Sequence, residues 1–118
     1  MRRGTLQDQA DRERDDERYL ALLGDRVRSA RSRCGMTRKI LSAQSSVSER
    51  YLAQLESGRG NVSIILLRQI AAAMNLALSE LVHDGPDRPV ELTLILEQLA
   101  NLGSDDLAEL HRDLRQRY

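Results

Sequence analysis

The sequence predicts an all-α protein, and three observations carry that prediction. Apolar residues recur at helical spacing from Leu20 onward. The only prolines, Pro86 and Pro89, stand three apart, so ring geometry interrupts the chain at one joint. Phe and Trp are absent, which leaves Leu, Ile, Val, Ala and Met to build the core. With 118 residues, 41% apolar and 31% charged, the chain fits one modest soluble domain with appendages.

Residues 1–18 hold almost no large apolar side chain except Leu6 and are expected to form a charged flexible arm. A first helix follows from Leu20, with Leu23, Val27, Ala30 and Cys34 as one buried stripe and Gly35 as its left-handed stop. Thr37 is a good N-cap for a short second helix to about Ser45, with Ile40 and Leu41 inward. Ser48 caps a third, Glu49 to about Glu56; Glu49 favours its dipole, Tyr51, Leu52 and Leu55 form its inner side, and Gly58 ends it. Ser63 caps a fourth helix carrying Ile64, Leu67, Ala71 and Met74, ended by Asn75, and "LALSELV" gives a short fifth.

The main domain is therefore expected over residues 19–83 and a linker over 84–89. Residues 90–118 should form a helical hairpin for dimerisation or connection. Its stripes, Leu92, Ile95, Leu96, Leu99 and Leu102 in one helix and Leu107, Leu110 and Leu114 in the other, exceed what so short a hairpin can bury alone. It should pack on the first domain or on a second copy.

Several function classes fall away. No apolar run approaches the roughly 20 residues that cross a membrane, and the N-terminus lacks a signal peptide's apolar stretch. The single cysteine, Cys34, excludes an intrachain disulfide and points to the cytoplasm. His83 and His111 have no partner at metal-ligand spacing, so no metal is expected, and no cofactor. "SGRGN" lacks the Lys-Ser/Thr of a phosphate loop, Ser45, Ser46 and Ser48 have no nearby His as base, and Asp105 and Asp106 read as helix-N-terminal carboxylates. No catalysis is expected.

Net charge is zero, but its distribution is uneven. Residues 24–61 hold eight Arg or Lys against three Asp or Glu, a net +5, whereas the first 18 residues carry a net −1. A basic middle is what a phosphate backbone responds to.

Within that basic middle two short helices stand back to back, joined by "SSVS", with Val47 as an apolar wedge. A helix-turn-helix needs small residues at the turn and polar side chains opening the second helix. The order and spacing of "VSERYLAQLESGRGN" and "LLRQIAAAMNLALSELV" make residues 22–82 resemble the Xre/Cro-type, phage-repressor-like family, whose DNA-binding domain has five helices. The resemblance implies a homodimeric transcriptional regulator, a repressor, on two-fold-related double-stranded DNA. Carried over position by position, it assigns Ser48, Glu49, Arg50 and Gln54 to base reading, and Thr37, Arg38, Ser57, Arg59 and Asn61 to phosphate. Leu41, Val47, Leu52, Leu55, Ile70 and Leu81 match the family core.

The chemistry of the residues agrees with these roles. Arg50 suits a bidentate contact to guanine and Gln54 one to adenine, and four residues apart they share a helix face. Arg26, Arg28, Arg31 and Arg33 are weaker candidates for DNA, since arginines on a helix surface usually just solvate. Two positions depart from the family: Ser42 stands where Ala is common, and Ser46 where Gly is common, so Ser46 has to turn left-handed.

"RYLAQLESGRGNVSIILLRQIA" is also similar to the N-terminal part of benzoate-pathway regulators, in which a kinase-like domain senses an aromatic acyl-CoA. On that resemblance a small-molecule effector would act through a sensor domain absent from this sequence, and Val90 to Tyr118 would be the connector. The competing reading is a protein-interaction module of the same fold, antitoxin-like or a co-regulator, that does not itself read DNA sequence.

Overall fold

The computed structural model describes residues 5–85 and 88–118. Among them are seven helices: α1 (Leu6–Arg33), α2 (Arg38–Ser45), α3 (Glu49–Glu56), α4 (Ile64–Ala73), α5 (Leu78–Val82), α6 (Val90–Ala100) and α7 (Ser104–Arg117). The chain divides into two compact units, the first ending at Asp84 and the second running Gly85–Tyr118. The architecture is all-α, as the period and the placement of prolines predict.

In the first unit α1 packs on α3 and α5, α2 on α3 and α4, and α4 on α5. One core joins them: Leu23, Val27 and Ala30 of α1, Leu41 of α2, Val47 of the turn, Leu52 and Leu55 of α3, Leu67, Ile70 and Ala71 of α4 with Met74 beyond it, and Leu81 of α5. All six positions matched to the family core are buried.

Helix ends follow local chemistry. Thr37, Ser48 and Ser63 accept from the backbone N–H groups of Ile40, Tyr51 and Leu66 at the starts of α2, α3 and α4. At the end of α3, the Gly58 N–H donates to Leu55 O at 3.0 Å and the Arg59 N–H to Gln54 O at 2.9 Å. This paired closure needs a left-handed residue, and Gly58 supplies it at φ +74°. Ser46 ends α2 left-handed at φ 62°, as its position in the turn requires.

Four expectations are corrected. Residues 6–18 are not a flexible arm but the opening turns of α1, while residues 1–4 lie outside the described residues. Thr5 Oγ1 accepts from the Asp8 N–H at 3.1 Å, and Asp8 Oδ2 accepts from the Thr5 N–H at 3.0 Å. From that reciprocal cap to Tyr19 the sequence has no Gly, Pro or β-branched residue, and Gln7 and Arg14 each bond Asp11. Such a helix forms without an apolar face.

Cys34 is exposed rather than near the core, because α1 ends at Arg33 and Cys34 is already its cap. Ile40 and Ile64 are exposed: each lies in the first turn of a short helix, where Leu41 and Leu67 take the inward positions. Pro86 and Asp87, within the expected linker over 84–89, lie outside the described residues.

Candidate nucleic-acid interface

The close approach of α1 and α3 fixes the base of the site. Gly24 sits where an added Cβ would lie 2.4 Å from Leu55 O and 2.7 Å from Glu56 O, so only hydrogen fits there. On either side of Gly24 along α1, the Tyr19 hydroxyl donates to Val82 O, and Arg26 Nη1 donates to Leu81 O at 3.0 Å and His83 O at 2.6 Å. A cation at these carbonyls satisfies the C-terminal end of α5. Tyr51 of α3 accepts from the Ser63 N–H at 2.9 Å and ties the third helix to the start of the fourth.

Glu56 is the centre of the site's electrostatics. Its side chain is 2% exposed, yet charged. Arg31 meets it bidentately, Nε to Oε2 at 2.7 Å and Nη2 to Oε1 at 2.9 Å, and Arg38 Nε reaches Oε1 at 3.2 Å. Arg31 Nη1 also donates to Met36 O at 2.9 Å, which anchors the chain entering α2. Burial alone would raise the Glu56 carboxyl above its ordinary range. The hydrogen bonds and charge of Arg31, then those of Arg38, outweigh burial and hold it below. The hydrogen bond to Glu56 correspondingly raises the Arg31 guanidinium.

α3 turns its outer face to solvent. Arg50 and Gln54 are exposed on it, and with Ala53, Ser57, Arg59 and Gly60 they line one open depression. Four of the nine residues singled out from the sequence therefore meet in one surface feature. Ser48 and Glu49 are exposed at the N-terminal end of α3, Thr37 and Arg38 at that of α2, and Asn61 in the loop beyond Gly60. These five lie outside the depression.

The hydroxyls differ in what they have left to offer. Thr37 and Ser48 use an acceptor lone pair in capping, so each keeps its proton for another acceptor. Ser57 donates its proton to Gln54 O at 2.9 Å and would have to give up that bond to donate elsewhere. Arg38 spends Nε on Glu56, but its side chain is 48% exposed and its terminal nitrogens remain available.

Of the eight cations in the basic middle, Arg26 and Arg31 are turned to internal carbonyls and Glu56, and Arg28 pairs with Asp25 at 2.8 Å. Arg33 is exposed at the end of α1. Lys39, beside Arg38, is exposed at the start of α2 and was not among the residues picked out for phosphate. Glu56 was not picked out either. The signal was available, because Glu56 follows Leu52 by four and so falls on the buried side of α3. Among the described residues, no group of His, Cys, Asp and Glu could hold a metal ion, and no helix is long and apolar enough to cross a membrane.

Comparison with known proteins agrees with this geometry. Residues 27–81 match the helix-turn-helix family model. The chain is 34% identical over 68 residues to an uncharacterized HTH-type transcriptional regulator, y4dJ, of Sinorhizobium fredii, covering 58% of this chain and 88% of that protein. It is 37% identical over 67 residues to the transcriptional regulator ClgR of Mycobacterium tuberculosis, covering 57% of this chain and 60% of that one. Among solved structures, the restriction-modification controller protein C.AhdI of Aeromonas hydrophila superposes with a TM-score of 0.51 at 29% identity, over 52% of this chain and 94% of C.AhdI. A hypothetical transcription factor, NHTF, from Neisseria does so with a TM-score of 0.52 at 25% identity, over 65% of this chain and 83% of NHTF.

Proposed function

The chain belongs to the helix-turn-helix family of DNA-binding transcriptional regulators, and from that premise we propose that it is a repressor that binds a two-fold-related operator as a homodimer. The observation that carries the reading is the gathering of Arg50, Gln54 and Arg59 along one exposed face of α3 and its following loop. Arg50 and Gln54 suit bidentate contacts to guanine and adenine in the major groove, with Ser48 and Glu49 reaching base edges from the first turn. Thr37, Arg38, Arg59 and Asn61 flank them as phosphate contacts, and Ser57 joins them once it releases Gln54 O. Lys39 adds a further cation beside Arg38. Half-sites about 34 Å apart would present both copies of α3 to one side of the duplex, and occupancy would block a promoter.

Selecting bound sequences from a random duplex pool tests this directly. The expected product is a palindromic site. Each copy brings Arg38, Lys39 and Arg59, about six cations per dimer, so log K should fall against log salt with a slope of about −5.4. Arg50→Ala should relax base preference at one position per half-site while leaving that slope nearly unchanged. A selection that enriches no sequence would refute the reading and favour a protein-interaction module.

A further inference from the structure

Among its described residues, the second unit buries no side chain fully. No residue of α6 or α7 is buried, and only Leu99 and Leu110, on either side of the connecting turn, are even half-buried. Yet Leu92, Ile95 and Leu96 continue the stripe of Leu99 along α6, and Leu107 and Leu114 continue that of Leu110 along α7. These five side chains are 37–50% exposed. Resting on the homodimer reading above, we propose that this open apolar face of α6 and α7 is covered by the same face of a second copy, so that the two C-terminal units form a four-helix bundle.

Area and charge both favour a second copy as the occupant. The five side chains present on the order of 400 Å² per molecule. In an interface about 60% apolar that corresponds to roughly 650 Å² a side, within the range of about 600–1,000 Å² for standard stable interfaces. The α6 stripe carries no charge, and the α7 face meets one only at its end, where Arg117 stands seven past Leu110. α6 carries only Glu91 and Glu97, both off its stripe, and α7 sets Asp105, Asp106, Glu109 and Asp113 against Arg112, Arg115 and Arg117. Two identical faces therefore meet without a buried like-charge pair, with charged residues at the rim. Val90 and Leu94, exposed on the opposite side of α6, lie outside this face.

The test is sedimentation equilibrium of the full chain, alone and with the selected duplex, with circular dichroism to follow helix content. Leu96→Glu and Leu107→Glu should each raise the dimer dissociation constant at least 100-fold while helix content and the unfolding midpoint of the first unit hold. Leu94→Glu should leave the dimer intact. Dimers that survive both stripe substitutions would overturn the inference and leave the homodimer reading standing. Equal loss from Leu94→Glu would also overturn it, because the wrong side of α6 would have been assigned. A wild-type monomer, free and on the duplex, would end both. If that monomer's first unit also loses stability on Leu96→Glu, the face covers its own chain instead.

Discussion

Replacing Glu56 by Gln isolates the charge at the base of the site. The substitution keeps the shape of the side chain and one acceptor oxygen, but turns the other oxygen into an NH₂ group facing guanidinium donors. Arg31, 15% exposed and held at 2.7 and 2.9 Å, then loses its counter-charge while staying largely out of water. Breaking a buried pair by removing one partner costs about 3–5 kcal/mol, and the retained acceptor places Glu56→Gln near 3. For a domain of this size that corresponds to a melting point lower by roughly 12–24 °C.

The pH dependence has a definite sign. Glu56 is held below the ordinary carboxylate range, so its contribution is complete above about pH 4.3 and is lost as pH falls through its folded-state value. Urea titrations at pH 7 and at steps down to pH 3 measure both effects. The gap between wild type and Glu56→Gln should be widest at pH 7 and close on acidification. A gap at pH 7 under about 1 kcal/mol, or one that widens in acid, would refute the assignment of a charged, buried Glu56.

Two further substitutions test the backbone that carries α3. Gly24→Ala should destabilise by about 2–3 kcal/mol in a urea melt, because its Cβ meets the carbonyls of Leu55 and Glu56 and must push α1 off α3. Relaxed operator affinity should accompany that loss. Ser46→Gly should stabilise by about 0.5–1 kcal/mol: a left-handed non-glycine residue costs about 1–2, partly offset by glycine's larger unfolded-state entropy. Asn75→Gly, also at a left-handed position, should move the midpoint far less, since Asn tolerates that conformation.

What the sequence made legible were features decided within one turn of chain. Thr37, Ser48 and Ser63 announce three helix starts because a cap is made with a donor three residues on. Gly35 and Gly58 announce helix ends for an equally local reason, and Ser46 stood out as a departure from the residue its turn calls for. The outer face of α3 was legible through the spacing of Arg50 and Gln54. Residues 6–18 were not, because their helix rests on a cap and on the side-chain bonds of Gln7 and Arg14 to Asp11 rather than on an apolar stripe, and apolar period was the signal used.

The contacts that escaped the sequence are those joining residues far apart in the chain. Arg31 counted as one more surface cation until its partner, 25 residues away, proved to be a carboxylate inside the fold. Gly24 carries no signal within its own helix, because the carbonyls that exclude a Cβ there belong to α3. Both bear on function because the C-terminal turn of α3 is where they meet. Gly24 sets how closely α3 lies on α1, and Glu56 links that turn through Arg31 to the chain entering α2 and through Arg38 to the first residue of α2. The two helices of the motif are thus held by a single carboxylate at the opposite end of α3 from Ser48 and Glu49. A shift of α2 that moved Arg38 toward a phosphate would draw on the same carboxylate that ties down the C-terminal turn of α3. On the proposed roles of these residues, backbone gripping and base reading would be coupled through Glu56, so losing its charge should weaken both the fold and the discrimination between operators.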